Sequence, residues 1–513
     1  MVGYIIANVS AGFSMKIRKM LFEKVENLSM NEVKEFSTSS LITRTTNDIT
    51  QIQMLVSMGS HVAVKAPITA IWAITKILNK SWQWSAITAL AVVILLSTVS
   101  VIMTIVIPRF KIIQKLIDKI NSVTRENLTG IRVVRAFNAE KYQEEKFDDV
   151  NTELTKKQTF NQKMFAAFSP VMYLIMYFLT LAIYFIGAYL IKDAGMTEKI
   201  TLFGDMVVFS SYAMQVIMSF LMLAMIFMMF PRAQVSAGRI NEVLETKISI
   251  EDGNMTQDET KEKGTVEFKN VSFKYPDGEE YVLKDISFKV NKGETVAFIG
   301  STGSGKSTLI NLVPRFYDVT DGEILVDGVN VKEYKQEILH NKLGYVPQKA
   351  VIFSDTVKNN IAYGENGKET PNQDKIKKAI EIAQGKDFVE KMENAYDTQM
   401  SQGGTNVSGG QKQRLSIARA IARNPEIYIF DDSFSALDYK TDSTLRKALK
   451  EYTKDATTLI VAQRIGTILN SDQIIVLDNG KLVGKGTHKE LLKNCEVYKQ
   501  IALSQLSEEE LEK

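Results

Sequence analysis

A chain of 513 residues, 45% hydrophobic and 24% charged, has the length for two or more domains. A net charge of +3 is close to neutral at this size and argues against a broad nucleic-acid-binding surface. The single cysteine, Cys495, excludes an internal disulfide and fits a reducing compartment for the C-terminal half. No cleavable signal peptide is evident, because the apolar start lacks a basic region and a convincing cleavage site.

Met1 to Met15 carry no charge, yet as a helix they cover only about 22 Å, short of the roughly 30 Å hydrocarbon core of a bilayer. They read as part of a membrane helix. Lys16-Ile17-Arg18-Lys19 marks a cytoplasmic exit, and the periodic segment to about Leu28 continues as a helix before a break over Asn31 to Ser40. The apolar block 54–77 reads as a second span. It contains His61 and Lys65, and Lys65 suits either snorkelling or a place along a transport path. Residues 85–107 are free of charge, Pro108-Arg109 closes that span, and Trp82 and Trp84 at its start read as an interfacial belt.

From Arg109 to Lys163 the sequence is highly charged with helical periodicity, which predicts long helices projecting into the cytosol. The next spans are 165–191, with a tolerated Pro170 kink, and 202–231, with Asp205 near its outer end. The last holds Met206, Met214, Met218, Met222, Met225, Met228 and Met229, a row suited to varied apolar ligands or to plain core and lipid packing. Counting back from a cytoplasmic C-terminal domain places Met1 on the outer side. The expectation is a missing upstream membrane helix, through truncation or a mis-called start. The transmembrane domain is thus expected over 1–237, an exposed polar linker over 238–264, a soluble α/β domain over 265–503 and an acidic, solvated tail over 504–513.

Within that α/β domain the apolar run Thr295-Val296-Ala297-Phe298-Ile299 leads into Gly300, Ser301, Thr302, Gly303, Ser304, Gly305, Lys306, Ser307 and Thr308. These residues fill the G-x-x-x-x-G-K-[ST] pattern. A buried strand, a Gly-rich turn and a helix start near Gly305 aim backbone N–H groups at one point, a site for the phosphates of a nucleoside triphosphate. Lys306 is then placed to reach the β/γ-phosphates and Ser307 to hold Mg²⁺. A second apolar strand, Ile427-Tyr428-Ile429-Phe430, ends in Asp431-Asp432, which makes Asp431 the metal partner of Ser307. Between the two lies Val407-Ser408-Gly409-Gly410-Gln411, a turn opening the helical stretch Lys412 to Arg423. A small-residue turn opening a helix can bind phosphate, but on its own this one reads better as a capped surface helix.

Taken together these motifs resemble the ATP-binding cassette family, in their order and approximate spacing, along with Ser435-Ala436-Leu437-Asp438. The resemblance implies an N-terminal all-α polytopic membrane helix bundle fused to a C-terminal α/β P-loop domain, with ATP and Mg²⁺ as ligands. It also implies that two nucleotide domains meet head to tail, each ATP lying between one subunit's phosphate loop and the other's Ser408, Gly409, Gly410 and Gln411. By resemblance Tyr275 stacks on adenine, Gln348 senses Mg²⁺ and the attacking water, and Asp438 links the two sites. Thr43-Arg44-Thr45-Thr46-Asn47-Asp48 and the stretch Glu126 to Phe137 are similar to cytoplasmic loops of exporter-type members, which carry six helices. Against that template the first helix is absent.

Three departures set the finer reading. The family's water-polarising glutamate is replaced by Asp432, one methylene shorter. Its switch histidine is replaced by Gln463 in Val461-Ala462-Gln463-Arg464, which bonds a phosphate but carries no titrating proton. Ser401-Gln402-Gly403 has a glutamine where exporters often have glutamate. The pattern is similar to the degenerate-site subunit of heterodimeric bacterial exporters, so the expectation is one half of an ATP-driven exporter in the cell membrane. A second half-transporter is its partner, a small hydrophobic compound its cargo, and no nucleic acid is involved. Open beside it stand a homodimeric exporter using Asp432, an ATP-gated regulator that does not pump, and a soluble cassette protein acting on nucleic acid or ribosomes. The charge-free 85–107 stretch argues against the last.

Overall fold

The structure is a computed structural model describing residues 2–78, 80–255, 260–364 and 370–506, without the side chains of Lys111, Phe227 and Met228. The Met228 side chain of the methionine row and the acidic stretch Glu508 to Glu512 therefore lie outside what the structure describes. The chain divides into two compact units. One comprises Met1–Asn27 and Phe36–Thr246, the other Leu28–Glu35 and Lys247–Lys513.

The first unit is helical. It contains α1 (Val2–Glu26), α3 (Thr38–Ile77), α4 (Trp82–Thr129), α5 (Ile131–Ala136), α6 (Glu140–Asp193) and α7 (Met196–Glu245), while the short α2 (Met30–Glu35) belongs to the second unit. Helices α3, α4, α6 and α7 are each long and apolar enough to cross a membrane. Pro108 does not break α4, which runs on through it, because a proline removes one intrahelical donor and long flanking helix supplies the rest.

Trp84 corrects the aromatic-belt expectation. Trp82 is 74% exposed, but Trp84 is only 1% exposed. Its indole N–H donates to the Ile183 carbonyl at 3.1 Å and its ring lies 5.4 Å from Phe209. A satisfied N–H lets the indole enter a core as ordinary apolar bulk. Gly187 makes the room: a Cβ there would come within 2.3 Å of the Met206 sulfur. His61 and Lys65 lie on exposed positions of α3, and Asp205 of α7 pairs with Lys80 in the α3–α4 connection.

Two π-helical turns, Arg44–Asp48 and Leu55–Gly59, interrupt α3. The first turns Asp48 inward, where it accepts from Ser236 Oγ at 2.7 Å and faces Arg239 at 3.8 Å. Arg44 reaches the Arg239 carbonyl and the Glu242 carboxylate, both at 2.7 Å. A single-turn π bulge is a common way to redirect side chains without ending a helix. Here it stitches α3 to the end of α7 through buried charge.

The second unit holds a four-stranded antiparallel sheet in the order β2-β1-β4-β5, from β1 (Val266–Phe273), β2 (Leu283–Val290), β4 (Asp321–Val326) and β5 (Val329–Asn330). Beside it is a six-stranded sheet in the order β10-β9-β3-β8-β7-β6. That sheet is built from β3 (Thr295–Gly300), β6 (Leu343–Val346), β7 (Ile427–Asp431), β8 (Thr457–Val461), β9 (Gln473–Asp478) and β10 (Lys481–Gly486), all parallel except β10. Successive residues of β3 enter opposite cores, Val296 and Phe298 on one face, Ala297 and Ile299 on the other. Burial on both faces explains why these strands read as unbroken apolar runs.

Removing the Asp48 carboxylate leaves Ser236 without its buried acceptor and Arg239 without its counter-charge. The Asp48→Ala protein is expected to lose about 2 kcal/mol in thermal unfolding of the purified chain, whereas Ala at the neighbouring exposed Asn47 stays within about 0.5 kcal/mol of wild type.

Candidate functional site

In an open parallel sheet the loops beyond the carboxyl ends of the strands converge on one edge. Here β3, β8 and β7 lie side by side, with Asp431 in register with Val461. The glycine-rich turn after β3, Gln463 after β8 and Asp431-Asp432 at the end of β7 thus arrive together. The turn runs from Gly300 to Gly305 and opens α8 (Lys306–Asn311). Gly305 has φ +95°, and a Cβ there would press to 2.7 Å from Leu283 Cδ2, so only glycine fits. The first N–H groups of α8 have no acceptor inside the helix and point into the turn.

Lys306 folds back across the turn, its ammonium donating to the carbonyls of Gly300 at 2.9 Å and Ser301 at 2.7 Å. Burial lowers its pKa, with Asp432 and Asp431 opposing. Opposite it, Ser307 Oγ donates to Asp431 Oδ1 at 2.7 Å. Both aspartates are buried, and burial raises both carboxyl pKa values; the Asp432 charge adds to the effect on Asp431.

Asp432 sits in a left-handed backbone conformation with φ +46°. A single oxygen of its carboxylate, Oδ2, accepts from Gln463 Nε2 at 2.7 Å and from Gln348 Nε2 at 3.3 Å. Gln348, Asp432 and Gln463, far apart in sequence, therefore meet at one atom. A serine hydroxyl, two carboxylates and an amide are hard oxygen donors of the kind a magnesium ion takes, with its remaining positions left to phosphate and water. Among the described residues no three His, Cys, Asp or Glu side chains cluster to hold a metal by themselves.

At the other end of the turn the Tyr275 hydroxyl lies 3.0 Å from Thr308 Oγ1. Its ring stands edge-on to Phe273 at 5.0 Å and to Tyr317 at 5.2 Å. Ser408 caps α9 (Gly409–Arg423) in a capping box: its hydroxyl accepts from Gln411 N at 3.3 Å, and Gln411 Oε1 accepts from Ser408 N at 2.8 Å. Ser408 and Gly409 are exposed, and nothing lies within 4 Å of a Cβ built on Gly409. Asp438 caps α10 (Tyr439–Tyr452) by accepting from Thr441 N at 3.0 Å, a bond that lowers its pKa. Ser408 and Asp438 thus make their hydrogen bonds locally, while the phosphate turn, Asp431, Asp432, Gln348 and Gln463 form one cluster.

The sequence did not disclose Gln505, placed there in the solvated tail. Its side chain donates to the Gln463 carbonyl at 2.8 Å and accepts from Ile465 N at 2.9 Å, clasping the backbone on both sides of Arg464. A lone glutamine near a polar terminus gives no signal of such a contact.

A glycine-rich turn of the P-loop pattern on a parallel sheet, joined to helices long enough to span a bilayer, defines a membrane protein with a P-loop nucleotide-binding domain. Residues 283–435 match the ABC transporter family and residues 1–220 the ABC transporter transmembrane region. The chain is 39% identical over 503 residues to an uncharacterized ABC transporter ATP-binding protein of Mycobacterium tuberculosis, covering 98% of this chain and 85% of that one. It is 34% identical over 493 residues to an ATP-dependent lipid A-core flippase of Pseudomonas fluorescens, covering 95% and 80%. A solved bacterial Atm1-family ABC exporter with ATP bound superimposes with a TM-score of 0.82 at 26% identity, covering 98% of this chain and 87% of that one. The chain belongs to the ABC transporter family, as a transmembrane helical domain fused to a cytoplasmic nucleotide-binding domain.

Because the folded pKa of Asp432 is raised, its ionisation opposes folding above the ordinary aspartate value of 3.8, and the penalty vanishes below it. Asp432→Asn keeps an acceptor for Gln463 and is expected to raise the unfolding temperature of the nucleotide-free protein at pH 7 by about 2 °C. The gain shrinks as the pH falls toward 4, which thermal scans across pH will show.

Proposed function

We propose that this chain is one half of a heterodimeric ATP-driven exporter. It binds ATP at its own phosphate turn, turns it over slowly, and lends Ser408, Gly409, Gly410 and Gln411 to complete a competent site on a second half-transporter. The turn 300–308 and Lys306 hold the triphosphate, with adenine on Tyr275. Ser307, Asp431 and Gln348 hold Mg²⁺, which when bound neutralises charge on the phosphate oxygens. Asp438 lies at the interface between the two nucleotide domains. The expected cargo is a small hydrophobic or amphiphilic compound, a reading supported by the ATP-dependent lipid A-core flippases among the relatives.

The observation that carries the slow-turnover reading is the double amide clasp on Asp432 Oδ2. Polarising an attacking water asks for a carboxylate within about 3 Å of it and free to accept its proton. Asp432 is one methylene shorter than glutamate, and one of its oxygens is engaged by Gln348 and Gln463. Neither amide accepts or releases a proton at neutral pH. A misplacement of about 1 Å costs on the order of 10²-fold in rate. One finding favours a second reading, a self-sufficient homodimer: burial raises the Asp432 pKa and so makes it a stronger base.

The full-length chain purified alone is expected to hydrolyse ATP slowly, and together with its co-purified half-transporter at least tenfold faster. Ser408→Ala is expected to slow the pair strongly, and Asp432→Glu combined with Gln463→His to raise the rate of the chain alone. Fast turnover by the isolated chain, abolished by Asp432→Asn, would favour the homodimer.

A further inference from the structure

Residues 28–35, which connect α1 to α3, pack with the nucleotide-binding unit. The segment is firmly seated there. Ser29 Oγ lies 3.0 Å from Ser249 Oγ, Ser29 N donates to Glu32 Oε2 at 2.8 Å, and both Leu28 and Glu32 are buried. Near the end of α2, the Lys34 ammonium stands 4.5 Å from the centroid of the Tyr275 ring and 5.2 Å from that of Tyr317. The two rings are perpendicular, so the cation occupies the corner between them. Its hydrogen bond to Tyr317 raises the lysine pKa, and Lys34 is charged at neutral pH.

A cation over an aromatic face and a base stacked on that face draw on the same π electrons. Tyr275 is only partly exposed, with its hydroxyl against Thr308 and its flanks against Phe273 and Tyr317. With the ammonium 4.5 Å from the centroid, that face of the ring has no room for a stacked base as well. We propose that Lys34 is a base-occupancy sensor: it holds the Tyr275 ring in the nucleotide-free chain and is displaced when adenine stacks there, so the segment leading into α3 registers an occupied site. Asp277, whose charge already acts on Lys34, gives the freed ammonium a carboxylate to approach. The inference rests on the reading of Tyr275 as the adenine-stacking residue.

The test measures binding of Mg-ATP and of magnesium tripolyphosphate, which has no base, to the full-length protein in lipid nanodiscs. Lys34→Met is expected to bind ATP about threefold more tightly and tripolyphosphate unchanged. Lys34→Arg, which keeps the cation, stays at the wild-type affinity, and Lys34→Met has no effect once Tyr275 is alanine. Acylation of the Lys34 amine, read by peptide mass spectrometry, rises with Mg-ATP and not with tripolyphosphate. If Tyr275→Ala weakens ATP selectively but Lys34→Met leaves ATP binding unchanged or weaker, the sensor is wrong and the adenine reading stands. If Tyr275→Ala affects ATP no more than tripolyphosphate, the adenine reading fails and the sensor fails with it.

Discussion

The nucleotide-binding half depends on a small pocket in which one ammonium and two carboxylates are held partly out of water. Lys306, Asp431 and Asp432 each have a pKa shifted toward the neutral form by burial, and each is steadied by neutral dipoles: carbonyls for the lysine, a serine hydroxyl and two amides for the aspartates. Groups held in this way suit the triphosphate and metal ion proposed for them, whose charges would complement theirs. The parallel order of β3, β8 and β7 makes the pocket possible, since it delivers three sequence-distant loops to one edge. The two apolar cores on either face of the sheet keep those strands fixed.

The helical half meets a similar demand with different means. Its long helices are apolar on lipid-compatible faces, yet Asp48, Arg44, Arg239 and Glu242 form a charged seam between α3 and the end of α7. Arg44 and Asp48 are the buried members, tied to the more exposed Glu242 and Arg239 of α7. The π turn at Arg44–Asp48 is what aims them. The motif at 43–48, resembling an exporter loop by sequence, thus acquires a local structural reason.

Much of this was legible in the residue order. The phosphate turn follows a fixed spacing set by backbone geometry, and the strand-terminal Asp431-Asp432 follows from where parallel strands end. The charge-free 85–107 stretch announces its hydrophobic surroundings. Contacts that depend on packing between distant segments were not legible. Trp84 looks interfacial until Ile183 offers its carbonyl and Gly187 its missing side chain. Gln505 looks like a solvated end until its amide meets the Gln463 backbone. Lys34 reads as part of a break between helices, and only the fold places it on α2 beside Tyr275.

The central claim is that this chain grips ATP without efficiently cleaving it. Its most direct measurement is a single-turnover experiment on the full-length chain alone, in which γ-labelled ATP is bound with Mg²⁺, excess nucleotide is removed, and the bound species is resolved after acid quench. The account predicts that the retained nucleotide stays predominantly ATP over many minutes, and that Asp432→Glu with Gln463→His converts it to ADP and phosphate. Rapid conversion to ADP by the unmodified chain would contradict the account.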